Sequence, residues 1–236
     1  MSENYMETFA RYCREVAALQ GRDPETEDEK ASVRRHAILA PIIESVRRCA
    51  RGAIPLRSAT NHFGNFTASE TILAAAMRYA DEKKTMRAEG INLVMTGGPG
   101  VGKTHLAAAV TWELLVRTPR MQVDFWPIVD FADLAKEVYD GEGWAKLYIE
   151  DSTRIDWLVI DDLGQERPTD WSRELVFKVV SRRSKAMLPT IYTTNLKPEQ
   201  IAKRYGDSVP SRIFGDGAVV LKFSKDAKDY RMEKRA

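Results

Sequence analysis

Hydrophobic positions follow two alternating patterns along the chain from about residue 67 onward. Short apolar runs predict buried strands, and stretches with apolar residues every three or four positions predict amphipathic helices. The predicted strands cover 91–96, 121–126, 154–162, 190–196 and 219–223, and the predicted helices cover 67–84, 104–116, 128–139 and 170–185, with a short one after Pro198. Strands that alternate with helices predict an α/β fold in which helices flank a central parallel sheet. A capping box that begins at Thr67 and ends at Glu70 should start the first of these helices.

The first 52 residues carry a different pattern. Residues 3–20 predict an amphipathic helix, and a second helical stretch runs from Ser32 to about Ala50. The stretch 22–30 between them holds five acidic residues and a proline, which is typical of a solvated linker. We therefore expect a small helical N-terminal module at 1–52, a linker at 53–66 and the main domain at 67–236. The apolar face of the first helix has few neighbours to cover it, which predicts that the module binds a partner protein.

A phosphate-binding loop is the clearest chemical motif in the chain. The segment 97–104 fits G-x-x-x-x-G-K-[ST], with a predicted strand before it and a predicted helix after it. Glycines let backbone N–H groups converge on one anion, and the dipole of the following helix favours phosphate. Lys103 adds a positive charge for the β- and γ-phosphates, and we expect it to be exposed to ligand rather than packed. The predicted cofactor-binding residues are Gly97, Gly98, Pro99, Gly100, Val101, Gly102, Lys103, Thr104 and His105.

Two carboxylates follow a second buried run, roughly 60 residues after the P-loop. The apolar residues 157–160 lead directly into Asp161 and Asp162, which matches a Walker B segment. Thr104 and Asp161 would hold Mg²⁺, the aspartate through water, and Asp162 would orient the water that attacks ATP. Alone, this pattern also fits a strand capped by acids; beside a P-loop it predicts ATP and Mg²⁺ as ligands and ATP hydrolysis as the activity. The nucleotide should lie at the C-terminal ends of the parallel strands.

Composition restricts the class of protein. The chain has 236 residues, of which 44% are hydrophobic and 30% charged, as in a globular domain. No apolar run reaches the roughly 18 residues of a membrane-spanning helix, and the N-terminus lacks the pattern of a secretory signal. Only two cysteines occur, which suits a reducing compartment. We therefore expect a cytoplasmic protein with no membrane partner.

Basic side chains leave two interpretations open. A net charge of +2 says little about nucleic acid. The N-terminal arginines could form a solvated face or contact an acidic partner or a phosphate backbone; they are Arg34, Arg35, Arg47, Arg48, Arg51 and Arg57. On the predicted helix 170–185 the basic residues should lie largely outward, on a solvated face; they are Arg173, Lys178, Arg182, Arg183 and Lys185.

From Arg51 to Arg231 the sequence resembles the bacterial DnaC-type helicase loaders, a branch of the AAA+ ATPases. The related IstB transposition helper ATPases share the same core. The resemblance rests on four segments that occur in order, at 97–109, 157–164, 182–196 and 206–213, and on the stretch 51–66 before them.

The resemblance implies roles that spacing alone does not. It makes Asn195 the sensor that reads the γ-phosphate and water, and Arg212 the arginine finger that acts on the ATP of a neighbouring subunit. Together with Asp162 these are the expected catalytic residues. The second Walker B acid of the family is often Glu, and Asp162 is one methylene shorter.

The implied function is ATP-dependent loading of a hexameric replicative DNA helicase onto single-stranded DNA, with hydrolysis as a switch in replication initiation. The expected partners are that helicase, single-stranded DNA and further copies of the chain, joined through the AAA+ domain. The alternative is an IstB-like transposase helper that binds duplex DNA. A small-molecule kinase also carries a P-loop, but the sequence shows neither its acceptor pocket nor its arginine-bearing lid.

Overall fold

A computed structural model describes residues 61–67, 69–118, 121–139, 154–215 and 217–224. The predicted module at 1–52 and the N-terminal arginines lie outside these ranges. The helices are α1 (Glu70–Asp81), α2 (Lys83–Glu89), α3 (Lys103–Arg117), α4 (Ile128–Tyr139), α5 (Asp170–Lys185), α6 (Pro198–Tyr205) and α7 (Ser208–Phe214), and a 3-10 turn covers Phe63–Asn65. The strands are β1 (Leu93–Thr96), β2 (Val123–Pro127), β3 (Trp157–Leu163), β4 (Thr190–Thr194) and β5 (Val219–Lys222).

The five strands form one sheet in the order β2-β3-β4-β1-β5, and every pair is parallel. This confirms the predicted α/β fold with a central parallel sheet. β1 lies between β4 and β5, so the strand order reverses beside it. Crevices at such switch points, outside the carboxyl ends of the strands, are where open α/β sheets bind ligands. The P-loop begins at this point, directly after β1.

Two apolar layers cover the sheet, one on each face. Side chains alternate along a strand, so Leu93 of β1 faces one layer and Val94 faces the other. The first layer includes Leu106 of α3, and the second includes Val176 of α5 and Ile213 of α7. Each layer buries the apolar stripe of its helices, which is why the P-loop helix and the α5–α7 region lie on opposite faces.

The start of the first helix differs from the prediction. Ser69 is the N-cap of α1, and its side chain accepts a hydrogen bond from the N–H of Ile72 at 3.4 Å. The predicted capping box at Thr67 is therefore wrong, because the serine two residues later occupies the capping position. The predicted helix 67–84 is also divided in two at Glu82, and the second part ends at Gly90, whose φ of 67° suits a helix C-cap.

Arg183 is the one basic residue of α5 that contradicts the predicted outward face. Its side chain is 1% exposed, although the helix has the predicted bounds. Nε donates to Thr190 Oγ1 at 2.8 Å, and the two terminal nitrogens donate to the carbonyl oxygens of Ile155, at 3.0 Å, and Pro189, at 2.7 Å. Burial lowers the pKa of the guanidinium to about 10. The residue faces inward because its donors satisfy acceptors beside the starts of β3 and β4.

No helix within the described ranges combines the length and hydropathy required to cross a bilayer.

Candidate nucleotide-binding site

The P-loop connects the carboxyl end of β1 to the amino end of α3. Gly102 is the N-cap of α3 and has a φ of 101°, which disfavours any residue with a side chain. A Cβ there would also lie 3.0 Å from the ring of Phe66. The glycine thus allows the helix to begin where the ring of Phe66 covers the turn. The amino end of a 15-residue helix is left at the tip of the loop, where it favours an anion.

Lys103 is packed rather than exposed, which corrects the expectation from the sequence. It is 5% exposed, and its Nζ donates to the carbonyl oxygens of Gly97 and Gly98, at 3.0 and 2.5 Å. A further bond of 2.7 Å reaches Oδ1 of Asn195, directly after β4. The loop curls around the ammonium, so protein oxygens replace water as acceptors. The structure therefore brings together two predicted site residues that lie 92 positions apart.

Thr104 lies in the first turn of α3 and contacts Asp161 near the carboxyl end of β3. The Thr104 hydroxyl lies 3.0 and 3.1 Å from the two carboxylate oxygens, and Thr193 Oγ1 donates to one of them at 2.6 Å. Burial raises the pKa of Asp161 to about 6, helped by the charge of Asp162 and opposed by the hydrogen bonds from Thr193 and Thr104 and by Lys103. A hydroxyl and a buried carboxylate side by side are oxygen ligands of the kind that Mg²⁺ prefers. The pair therefore fits the predicted metal site.

Asp162 sits at an irregularity in the sheet. The pairing of β3 with β4 shifts register between Ile160 and Leu163, and Asp162 has a φ of 56°, in the left-handed region. Its N–H donates to Thr193 Oγ1 at 2.8 Å. Such conformations cost energy and are kept where the surroundings enforce them. The bulge separates the two acids: Asp161 is buried against hydroxyls, and half-buried Asp162 makes no side-chain hydrogen bond to another described residue.

A family model described as an IstB-like ATP binding protein matches residues 75–216. The chain belongs to the IstB-like ATP-binding family. It is 30% identical over 123 residues to the replicative helicase loader DnaC of Escherichia coli strain K12, which covers 52% of this chain and 49% of that protein. The chain thus spans about half the length of this curated relative.

Solved structures agree with the family in fold. A crystal structure of the DnaC helicase loader superposes with a TM-score of 0.64 and 26% identity, over 72% of this chain and 99% of that one. The replication initiator DnaA bound to AMPPCP and single-stranded DNA gives a TM-score of 0.59 at 18% identity, over 71% of this chain and 51% of that one, which shows likeness of fold alone. The domain is an AAA+ P-loop ATPase fold, and the predicted resemblance is confirmed.

In this IstB-like domain the ring of His105 contacts the predicted linker. The ring packs edge-on against Phe66, with centroids 5.6 Å apart, and its Nε2 lies 3.2 Å from the carbonyl oxygen of His62. The backbone of His105 lies in the first turn of α3, directly after the loop. Phe66 was missed by sequence reasoning, because an aromatic residue in an irregular stretch carries no sign of where its ring packs.

Glu166, the alternative to Asp162 as the acid that serves hydrolysis, has contacts that the sequence does not reveal. Its carboxylate is 4% exposed and accepts hydrogen bonds from the N–H of Gly164, at 3.1 Å, and from Arg204 Nε, also at 3.1 Å. The hydroxyl of Tyr205 donates to it as well. The carboxylate thereby fastens the loop after Asp162 to the end of α6. Arg204 and Tyr205 lie 38 and 39 residues away, so no local pattern could identify these two partners.

Arg212 is the one predicted catalytic residue that the structure keeps apart from the others. Its carbonyl oxygen accepts a 2.9 Å hydrogen bond from Nδ2 of Asn92, which directly precedes β1. The P-loop follows the other end of the same strand. The guanidinium of Arg212 donates to the carbonyl oxygen of Ser208 at 2.8 Å and lies 5.7 Å from the ring centroid of Phe177. Arg212 therefore belongs to the amino edge of the sheet, whereas Lys103, Asp161 and Asn195 belong to the carboxyl edge.

Proposed function

We propose that the protein is an ATP-dependent loader of a replicative DNA helicase onto single-stranded DNA. The observation that carries the proposal is the contact between Lys103 and Asn195, beside the Thr104–Asp161 pair, in a chain similar to a replicative helicase loader. The residues proposed to bind phosphate, to hold the metal and to sense the γ-phosphate thus lie together in one domain. Such an arrangement would distinguish ATP from ADP if both the lysine and the amide contact the γ-phosphate, as we propose.

Phosphate binding is the proposed task of the P-loop and the amino end of α3. The ammonium of Lys103 would exchange carbonyl acceptors of the loop for oxygens of the β- and γ-phosphates, which are better partners for a buried cation. Asn195 would leave Lys103 and contact the γ-phosphate and the attacking water. The nucleotide-free and ATP-bound states of the site would then differ in the hydrogen-bond partners of Lys103 and Asn195.

Hydrolysis needs a metal and an oriented water. Thr104 and Asp161 would hold Mg²⁺, which supplies charge neutralisation on the phosphate oxygens when bound. Burial disfavours the charge of Asp161, and a cation offsets that cost. Asp162 would orient the water, since its carboxylate makes no bond within the described part of the chain, whereas that of Glu166 is held by Arg204 and Tyr205.

The proposal extends to assembly. Arg212 would complete the nucleotide site of a neighbouring copy, because it lies at the opposite edge of the sheet from its own P-loop. Hydrolysis then requires an oligomer, formed through the AAA+ domain on single-stranded DNA. Residues 1–52 would hold the hexameric helicase, so that the ATP state of the assembly controls its release.

The test is a loading assay on closed circular single-stranded DNA that is coated with single-strand binding protein. With ATP, the chain should deliver the replicative helicase of its organism of origin to the circle, and single-stranded DNA should stimulate ATP turnover. Lys103→Ala should abolish both effects. If the chain turned over ATP with DNA but did not deliver the helicase, the ATPase activity would be supported and the helicase-loading function would be refuted.

A second candidate is a transposase helper that binds duplex DNA. This candidate is favoured by the match of residues 75–216 to the family model that is described as an IstB-like ATP binding protein. Binding to single-stranded and duplex oligonucleotides of equal length, measured with a non-hydrolysable ATP analogue, separates the two. Preference for the duplex would support the helper and contradict the loader.

A further inference from the structure

Phe177 is an exposed aromatic residue on the solvent side of α5. Its exposed fraction is 40%, and it is one of three large apolar side chains exposed in the described part of the chain, with Val129 and Met187. Exposed single apolar residues are common. Phe177 differs in that its ring lies 5.7 Å from the guanidinium carbon of Arg212 on α7, within the range of a cation–π interaction.

Arg212 is restrained at two points that belong to different helices. One N–H group donates to the carbonyl oxygen of Ser208, one turn earlier in α7, at 2.8 Å. The planar group also lies over the Phe177 ring, which fixes its direction relative to α5. An arginine side chain loses considerable rotamer entropy when it binds phosphate. A guanidinium that is already oriented loses less, so the ring prepares Arg212 for a ligand.

The charge around Arg212 favours an anionic ligand. No carboxylate of a described residue lies within ion-pair distance of its guanidinium, whereas Lys178 and Arg173 on the same surface are paired with Glu174 and Asp170. The remaining N–H groups of Arg212 are thus available to phosphate. The P-loop of the same subunit begins at the other end of β1 from Asn92, the residue that binds the backbone of Arg212. A strand of four residues is roughly 13 Å long. The phosphate must therefore come from elsewhere.

We propose that Phe177 is a positioning residue for Arg212, and that its ring aims the guanidinium at the nucleotide of a second copy of this chain. This inference rests on the proposed function, in which Arg212 acts across a subunit interface. Phe177 touches no nucleotide in either subunit. It changes the rate at which the neighbour hydrolyses ATP and leaves the ATP affinity of its own subunit unchanged.

The experiment separates the two roles of a subunit by mixing variants. Lys103→Ala can donate its arginine but cannot use ATP, and Arg212→Ala can use ATP but donates no arginine. Their mixture, with single-stranded DNA, should recover part of the turnover and sets the reference. Phe177→Leu is then added either to the Lys103→Ala chain or to the Arg212→Ala chain.

Phe177→Leu should lower the recovered kcat about three- to tenfold when it is in the arginine donor, and not at all when it is in the ATP-using chain. KM for ATP should stay unchanged in both mixtures. Phe177→Tyr and Phe177→Trp, which keep an aromatic face, should restore the rate in the donor. Val129→Ala, a change at a similarly exposed apolar residue on α4, serves as the matched control and should have no effect in either chain.

Three results would overturn the inference. Full recovery with Phe177→Leu in the donor would show that the ring does not position Arg212. An equal loss in both chains, or a shared fall in melting temperature, would show a general structural role. A reference mixture that stays inactive while both variants still assemble would refute the trans arginine of the proposed function, and with it this inference.

Discussion

Lys103 connects the loop after β1 to the residue after β4, so its removal tests the phosphate site directly. Lys103→Ala should abolish tight ATP binding, lowering the affinity by about a hundredfold or more, because a charged hydrogen-bond donor is lost. The fold should remain, since its partners Gly97 and Gly98 lie on an accessible loop. Titration with a fluorescent ATP analogue measures the affinity, and far-UV circular dichroism checks the fold. Lys197→Ala, at an exposed lysine after β4, is the control. Normal affinity in Lys103→Ala would contradict the assignment.

Asp162 is next to Asp161 in sequence but lies in different surroundings, so we expect a change at Asp162 to affect turnover and not ATP binding. Asp162→Asn should keep ATP affinity and lower turnover about a hundredfold or more, because the carboxylate is needed to position the attacking water and not to hold ATP. Single-turnover hydrolysis and equilibrium binding measure the two quantities. Glu166→Gln provides the comparison. If Glu166→Gln were inactive and Asp162→Asn turned over ATP normally, the catalytic acid would be Glu166.

Helix α5 carries two adjacent arginines with opposite environments. Arg183 is 1% exposed and donates to three acceptors near the starts of β3 and β4, whereas Arg182 is exposed. Arg183→Met should lower the free energy of unfolding by roughly 2–4 kcal/mol, because buried acceptors lose their donors. Arg182→Met should change it by less than about 0.5 kcal/mol. Urea denaturation of the two variants measures the difference, and equal values would contradict the structural role of Arg183.

Arg212 lies apart from the nucleotide site of its own subunit, so its removal tests whether one subunit acts on the ATP of another in the assembly. Arg212→Ala should keep the ATP affinity of its subunit, since Asn92 anchors that part of α7 at the amino edge of the sheet. Its turnover in the assembled state should fall about a thousandfold, which is typical of a lost arginine finger. Equilibrium binding and steady-state hydrolysis with single-stranded DNA measure both. Arg182→Ala, at an exposed arginine of α5, is the control. A large loss of ATP affinity in Arg212→Ala would place the arginine in its own site.

The predicted module at 1–52 gives a test at the level of the full chain. Deletion of these residues should abolish binding to the replicative helicase and preserve ATP binding, because the described residues from 61 onward already include both layers of the core. Pull-down of the helicase by full-length and shortened chains measures the first effect, and nucleotide titration measures the second. Helicase binding that survives the deletion would place the partner surface on the AAA+ domain.

Local information in the sequence was sufficient for the fold class and for much of the site. The P-loop, the acids after β3 and the alternation of strands with helices are encoded within short windows. Parallel strands then bring their carboxyl ends to one edge, which is why Lys103, Asp161 and Asn195 meet there. The bounds of α5 were also predicted correctly, because its periodicity and flanking residues are both local.

Tertiary structure decided the features that depend on partners far apart in the chain. The burial of Lys103 and Arg183 is completed by distant acceptors, Oδ1 of Asn195 and the carbonyl oxygen of Ile155, which the sheet order β2-β3-β4-β1-β5 places beside them. The charge of the two residues therefore did not predict their burial. The contact of Glu166 with Arg204, and that of Phe177 with Arg212, likewise join residues on different elements. Periodicity reports which side of an element is apolar, but it carries no information on which side chain lies opposite. That depends on how the helices pack over the sheet, and only the folded chain determines it.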